Sequence, residues 1–252
     1  MRFLAMHRFG AALSASLLLS LTAGAVYAQG KSVTLQGIQS ATVAPSGLAF
    51  ASVAGTTFNT QVQRIEDNAD LSGVFGFGTG NAEESVGFQF SANITSLFEN
   101  FGNSGYISFK ASHRIADFQT PTYFGISLDH LGQWGDNAED YEPTVAFAVT
   151  SFPDVTLGGE MFPLMLTAGA GTHIRTNGTE PGIFFGAGIG LTQNLGASMA
   201  WTGETVTLGS AFKFDGLESI SFSANVDDLF NQQDSRRVTL SATWIIQDLF
   251  GG

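Results

Sequence analysis

The sequence is poor in several residue types that would otherwise indicate chemistry. It contains no cysteine, which excludes disulfide staples and thiol catalysis. Its 10 lysines and arginines are outnumbered by 22 acidic residues, so the net charge is −12 and no basic surface for nucleic acid is expected. Beyond the N-terminal leader, no apolar run approaches the roughly 20 residues that a spanning helix needs.

The leader has the pattern of a secretory signal peptide covering residues 1–28. Arg2 and Arg8 make a positive start, residues 11–25 are rich in Leu and Ala, and Val26-Tyr27-Ala28 offers small residues to a signal peptidase. Cleavage before Gln29 removes two positive charges and changes the net charge from −12 to −14. An exported chain without a spanning helix can enter a membrane only as a closed β-barrel.

The clearest pattern in the mature chain is the stretch 86–115. Apolar residues alternate with polar ones, first through Val86, Phe88 and Phe90 and later through Ile107 and Phe109. Strict alternation is typical of strands with one face in an apolar medium and the other in a polar one. A polar, glycine-containing stretch separates the two runs, so they are predicted to form a long antiparallel hairpin.

Similar runs recur along the chain and predict an all-β fold of about twelve strands, within a range of about ten to fourteen. The predicted strands are 47–53, 71–79, 86–94, 105–115, 123–131, 144–152, 164–174, 182–191, 195–201, 205–214, 219–226 and 236–246. Residues 29–46 are weakly patterned and are predicted to be a periplasmic lead-in or an inserted plug. Residues 47–252 are then the β domain.

The composition of the two strand faces favours an antiparallel up-and-down transmembrane barrel over a soluble sandwich. One face carries large apolar residues such as Phe124, Phe147 and Phe185, and the other carries Gly, Ser, Thr and Asn. Only 13% of the residues are charged, whereas the outer faces of a sandwich carry many Lys and Glu. We therefore expect the apolar face to contact lipid and the polar face to line the interior.

With these features the chain resembles the bacterial outer-membrane β-barrel proteins of the porin-like kind. The resemblance implies an outer-membrane location, contact with outer-membrane lipid and recognition by the barrel-insertion machinery. Such barrels usually end in an aromatic residue that helps the machinery recognise the last strand. Here an outward series from Val238 through Trp244 leads to Phe250, although Asp248 interrupts it and Gly251-Gly252 follow.

Two glycine-rich stretches are best interpreted as structural. Gly76-Phe77-Gly78-Thr79-Gly80 and Gly186-Ala187-Gly188-Ile189-Gly190 resemble phosphate-binding loops only superficially, because a phosphate loop must open a helix. These stretches continue as strands with their glycines on the inward face, where they let a curved wall pack without side chains.

No constellation for catalysis, cofactor binding or metal binding is found. His113, His130 and His173 lack metal-ligand spacing, and neighbouring Ser112 and His113 point to opposite faces of a strand, so they cannot form a lipase-like dyad. Acidic clusters, namely Glu66-Asp67-Asp70, Asp136 to Glu142 and Asp227-Asp228, are predicted to lie in solvated loops. None of them has the spacing of an EF-hand loop, and divalent-cation binding by these loops stays an open alternative at this stage.

The few cations are informative because of where they fall. The pore-lining candidates are Lys110, Arg114, Asp129, His173, Arg175 and Lys213. Charges inside a barrel either tune ion selectivity or hold an internal plug, and the sequence leaves both roles open. If the lumen is open, Lys110, Arg114 and Lys213 predict a mild anion preference.

The sequence therefore favours a non-enzymatic barrel, either a narrow passive pore for small solutes or a structural surface protein. About twelve strands place its interior between the filled eight-stranded barrel and the open porin of about sixteen. Two alternatives remain open at this stage: an outer-membrane enzyme acting on lipid or peptide, and a secreted soluble β-rich adhesion protein.

Overall fold

The computed structural model describes residues 30–58, 69–95, 97, 104–115, 120–135, 142–176, 178–234 and 236–247. In these residues it contains thirteen strands. They are β1 (Ala49–Phe58), β2 (Ala69–Gly80), β3 (Gly87–Ile94), β4 (Gly105–Arg114), β5 (Thr122–Trp134), β6 (Thr144–Ser151), β7 (Asp154–Leu157), β8 (Glu160–Arg175), β9 (Glu180–Gly190), β10 (Leu195–Trp201), β11 (Val206–Phe212), β12 (Ile220–Asp227) and β13 (Arg237–Ile246). Within the same residues, no helix is long and apolar enough to cross a membrane.

Twelve of these strands form a closed antiparallel barrel. Each pairs with its neighbour in sequence, β6 pairs with β8, and β1 closes the sheet by pairing with β13 from Ala49↔Ile246 to Phe58↔Arg237. The predicted all-β up-and-down barrel of about twelve strands is confirmed. The first strand runs five residues past its predicted end at Val53, because residues 54–57, which follow Val53, are small and do not continue the alternation of large apolar and polar residues.

The predicted hairpin is formed by β3 and β4, and its two faces are as the alternation indicates. Phe90 lies opposite Phe109 and Ser91 lies opposite Ser108. On the outer face the Phe90 and Phe109 rings are 5.0 Å apart, and Phe77 of β2 stacks on Phe90 at 5.5 Å. The outer surface is apolar elsewhere as well: Phe147 is 47% exposed, Phe185 53%, and Trp244 57%.

Strand β7 lies outside the barrel wall, and the alternation of apolar and polar residues did not predict it. It pairs only with the first residues of β8, from Asp154↔Pro163 to Leu157↔Glu160, around a turn at Gly158 and Gly159. The long connection 153–163 is therefore a small hairpin that extends β8 beyond the barrel wall.

The two ends of the barrel are called the lower rim, where β1 begins and β13 ends, and the upper rim opposite. The β7–β8 hairpin extends from the lower rim. Several features predicted from sequence lie outside the described residues: the signal peptide 1–28, the acidic residues Glu66, Asp67, Asp136, Glu139 and Asp140, and the C-terminal Phe250.

Candidate functional site in the barrel lumen

The barrel interior contains residues 31–48, here called the lumen segment. Leu35 and Ala41 are fully buried, and Ile38 is 4% exposed. Hydrogen bonds to the wall fix its course: Ser32 N to Thr192 O (2.8 Å), Gln36 N to Ser198 Oγ (3.1 Å), Ala41 N to Thr150 Oγ1 (2.8 Å) and Ala44 N to Gln89 Oε1 (2.9 Å). The segment therefore enters beside the β9–β10 turn, crosses the lumen and leaves beside β2 and β3.

Inward-facing glycines make room for this segment. A Cβ at Gly188 would collide with the carbonyl oxygen of Thr34, and one at Gly78 would collide with that of Ala44. A Cβ at Gly125 would lie 2.7 Å from the Cα of Ala41. The predicted inward position of the glycines is correct, but close approach of the lumen segment explains them better than wall curvature does.

We expect Gly188→Ala to destabilise the protein because the new methyl group meets backbone that cannot rotate away. Overpacking of this kind costs roughly 1–3 kcal/mol of unfolding free energy. Gly55→Ala is the matched control, since a Cβ there meets nothing within 4 Å. Urea unfolding in detergent measures both, and equal midpoints would show that the segment does not rest on this glycine.

The lumen segment packs against an apolar wall on one side of the barrel, here called the apolar half. Val33, Leu35, Ile38 and Ala41 form one buried cluster with wall residues of β5, β6 and β8 to β10. Those wall residues are Tyr123, Ala146, Ala148, Met165, Phe184 and Ala200. This part of the interior is a packed core rather than a water-filled channel.

The opposite wall, from β12 through β13 and β1 to β4, is here called the polar half. Its inward side chains are mostly hydroxyls and amides that bond across strands. Examples are Ser52–Thr243 (2.8 Å), Thr56–Thr239 (3.0 Å), Ser223–Ser241 (2.6 Å) and Asn93–Ser108 (3.1 Å). Ser91, Asn93, Ser108, Ser223, Asn225 and Ser241 remain partly exposed. Near the lower rim, Phe50 and Val74 pack on Ala44 and Leu48 and add an apolar cluster at this end.

Lys110 and Asp129 belong to one network at the meeting of the two halves. Lys110 is only 8% exposed and lies close enough to Asp129 to interact electrostatically with its carboxylate. The Gln39 amide donates to Asp129 Oδ2, and the hydroxyl of Ser127 donates to Gln39 Oε1. The lumen segment is therefore bound directly to one of the charged residues predicted to line the pore.

Arg114 lies at the lower end of β4 and is paired. Its Nη1 lies 2.8 Å from Oε2 of Glu83 in the β2–β3 turn, and the Tyr123 hydroxyl donates to the other carboxylate oxygen. Lys213 follows β11 at the lower rim, is partly exposed, and donates its backbone N–H to Asn194 O at 2.9 Å.

The remaining two candidates lie near the upper rim. His173 Nε2 lies 3.0 Å from Glu142 Oε2, and Arg175 Nη2 lies 3.1 Å from Glu180 Oε2 with both of these side chains about half exposed. His173 has a positive φ of 53° within an irregular stretch of the β8–β9 ladder. His130, beside a register shift in β5, has φ of 57° and contacts Tyr106 with ring centres 4.3 Å apart and ring planes tilted by 36°.

Asp227 and Arg237 form an inward pair that sequence reasoning missed. The prediction that Asp227 and Asp228 lie in a solvated loop is wrong, because Asp227 is the last residue of β12 and Asp228 is 1% exposed. Asp227 lies 3.5 Å from Arg237 across the β12–β13 ladder and accepts from Thr207 Oγ1 at 2.9 Å. The alternation of Ser223 and Asn225 continues to Asp227 and was the signal available.

Other candidate chemistries are not assembled in the described part of the chain. Ser112 is buried on the inward face of β4, whereas His113 contacts Ser85 O from the other face. Among the residues with defined positions, no group of three or more His, Cys, Asp or Glu side chains could hold a metal ion.

No family model matches the chain, and no curated protein matches it in sequence. Its backbone is similar to that of the KdgM porin in complex with disordered oligogalacturonate, with a TM-score of 0.50 and 9% identity over 77% of this chain and 98% of that one. For Omp33 of Acinetobacter baumannii the TM-score is 0.46 and the sequence identity is 8%, over 80% of this chain and 98% of that one. For an outer membrane channel of Pseudomonas putida F1 the TM-score is 0.44 and the sequence identity is 10%, over 80% of this chain and 96% of that one. The first of these likenesses shows the fold alone: the chain has the β-barrel fold of that porin.

Proposed function

We propose that this protein is an outer-membrane barrel that acts as a narrow passive pore for small solutes. The observation that carries the proposal is the division of the lumen into a packed apolar half and a partly exposed, hydroxyl-lined polar half. The path follows the polar half beside the lumen segment. The predicted signal peptide, lipid contact and insertion by the barrel machinery belong to the same proposal, with the lower rim in the periplasm.

A structural surface protein is the second candidate, and the buried lumen segment is the observation that favours it. Planar-bilayer recording of detergent-purified protein separates the two, because a structural barrel conducts nothing. Recovery of the protein from the soluble periplasm without detergent would reject both.

The pairing of interior charges changes the selectivity that we expect. The sequence alone predicts a mild anion preference from Lys110, Arg114 and Lys213. However, the Asp129 carboxylate lies within electrostatic reach of Lys110 and Arg114 is paired with Glu83, so two of these three cations have an acidic neighbour. We therefore propose that the native pore is only weakly selective between anions and cations.

Lys110→Glu should make the pore cation-selective, because it leaves two carboxylates facing each other in a low-dielectric interior. Lys110→Met keeps much of the side-chain volume without the charge and should give an intermediate shift. Reversal potentials under a salt gradient measure both variants. An unchanged reversal potential in Lys110→Glu would show that this position lies off the conduction path.

A further inference from the structure

We infer that the polar half selects small neutral, hydroxyl-rich solutes of monosaccharide size over charged solutes of the same size. The inference rests on the proposed pore function and names its solute class. It follows from two features of the polar half: the chemistry of its exposed side chains and the compensation of its charges.

The first feature is that the partly exposed hydroxyl and amide groups of the polar half can exchange their hydrogen-bond partners. A hydroxyl both donates and accepts, and it rotates to suit its partner. Ser223 and Ser241 bond to each other at 2.6 Å while both remain partly exposed, and Asn93 and Ser108 do the same at 3.1 Å on β3 and β4. A polyol or sugar hydroxyl can therefore replace water at these groups without leaving a buried polar group unpaired.

The second feature is the pairing of the charges on this wall. Asp227 Oδ2 lies 3.5 Å from Arg237 Nε, and the carboxylate accepts hydrogen bonds from Thr207 at 2.9 Å and from the Asn225 amide at 3.2 and 3.1 Å. Asp129 lies within electrostatic reach of Lys110, and Arg114 Nη1 lies 2.8 Å from Glu83 Oε2. A compensated pair offers little attraction to a passing ion, so a charged solute loses hydration that the wall does not replace.

The Asp227–Arg237 pair is the specificity-determining element of this path. Both side chains are partly exposed, at 21% and 28%, and they form the last pair at the upper end of the β12–β13 ladder, separated from the hydroxyl pair Ser223–Ser241 by Asn225 and Thr239. Loss of either partner would leave one net charge in the polar half. The arginine therefore keeps the path neutral rather than binding an anionic solute.

The test uses the full-length mature protein in liposomes and three solutes of nearly equal size: glucose, gluconate and glucosamine. Initial uptake of each labelled solute is measured with the membrane potential held at zero by potassium and valinomycin. Glucose is expected to enter about threefold to tenfold faster than either charged solute, because a charged solute loses hydration that the wall does not replace. Salt conductance is recorded on the same preparation.

Arg237→Gln should raise glucosamine uptake relative to gluconate by about threefold to tenfold, because it leaves Asp227 uncompensated, while glucose uptake stays within about twofold. Asp154→Asn is the control, since it removes one exposed charge on the β7–β8 hairpin beyond the barrel wall and should change none of the ratios. The double variant Asp227→Asn/Arg237→Gln restores neutrality and should restore the native ratio, which separates charge from misfolding.

The outcomes are distinct. Faster uptake of gluconate or glucosamine than of glucose, or exclusion of all three by a barrel that conducts salt, overturns the solute class and leaves the pore function standing. Absence of both conductance and uptake overturns the pore function, and this inference with it. An Arg237→Gln variant with native ratios shows that the pair does not set the selectivity.

Discussion

Deletion of residues 31–44 is expected to raise the single-channel conductance at least about threefold, because a twelve-stranded barrel without an internal segment is wide enough for a water-filled channel. The deleted residues include the buried Val33, Leu35, Ile38 and Ala41, which fill the apolar half. Their removal exposes the wall residues of that half to water. Planar-bilayer recordings of the native and deleted proteins at the same salt concentration measure the change.

The deletion also removes part of the protein's core, so its folding must be checked separately. Circular dichroism should show that the deleted variant retains the native strand content. A synthetic peptide with the sequence of residues 31–44 provides the specificity control and should reduce the conductance of the variant, whereas a scrambled peptide should not. Native-level conductance in a folded deletion variant would mean that the segment does not limit the channel.

The barrel wall could be predicted from sequence because each of its long strands alternates large apolar side chains on one face with small or polar ones on the other. A shift of one residue would place Phe90 or Phe147 inside and Ser91 or Ala146 outside, so the faces are fixed by the alternation alone. The confirmed features are the closed all-β barrel, its twelve wall strands and the hairpin of β3 and β4.

The interior of the barrel was less predictable, because its contacts join residues far apart in sequence. Nothing local to Gly188 indicates that Thr34 lies against it, since their contact spans more than half the chain. The lumen segment also lacks periodicity. Within it, Ala41 N donates to the Thr150 side chain and Ala44 N to the Gln89 side chain, whereas Gly47 near its end donates to Gly78 O of β2. The placement of His130 depends on a register shift in β5, and that of Asp227 depends on where β12 ends. Register shifts and strand ends are the least regular features of a β-ladder.

Phe90→Arg is expected to destabilise the barrel by roughly 2–4 kcal/mol if Phe90 lies near the bilayer midplane, because a charged side chain on the lipid face loses its hydration. Phe90 is 38% exposed on the outer face of β3 and packs between Phe77 and Phe109. Phe90→Ala measures the loss of ring packing alone, and the difference between the two variants gives the cost of the charge. Urea titration of folding into lipid vesicles gives these free energies.

The matched inward control is Ser91→Arg rather than Gln89→Arg. Ser91 neighbours Phe90, lies opposite Ser108 on the lumen side and is partly exposed, so a long cation there can stay hydrated. Gln89 also faces inward, but its side-chain oxygen accepts the N–H of Ala44 at 2.9 Å, so its replacement would release the lumen segment as well as add charge. Ser91→Arg should therefore cost far less than Phe90→Arg, and Gln89→Arg should fall between them. If Phe90→Arg and Ser91→Arg were equally destabilising, the outer face of β3 would not be the face that contacts lipid.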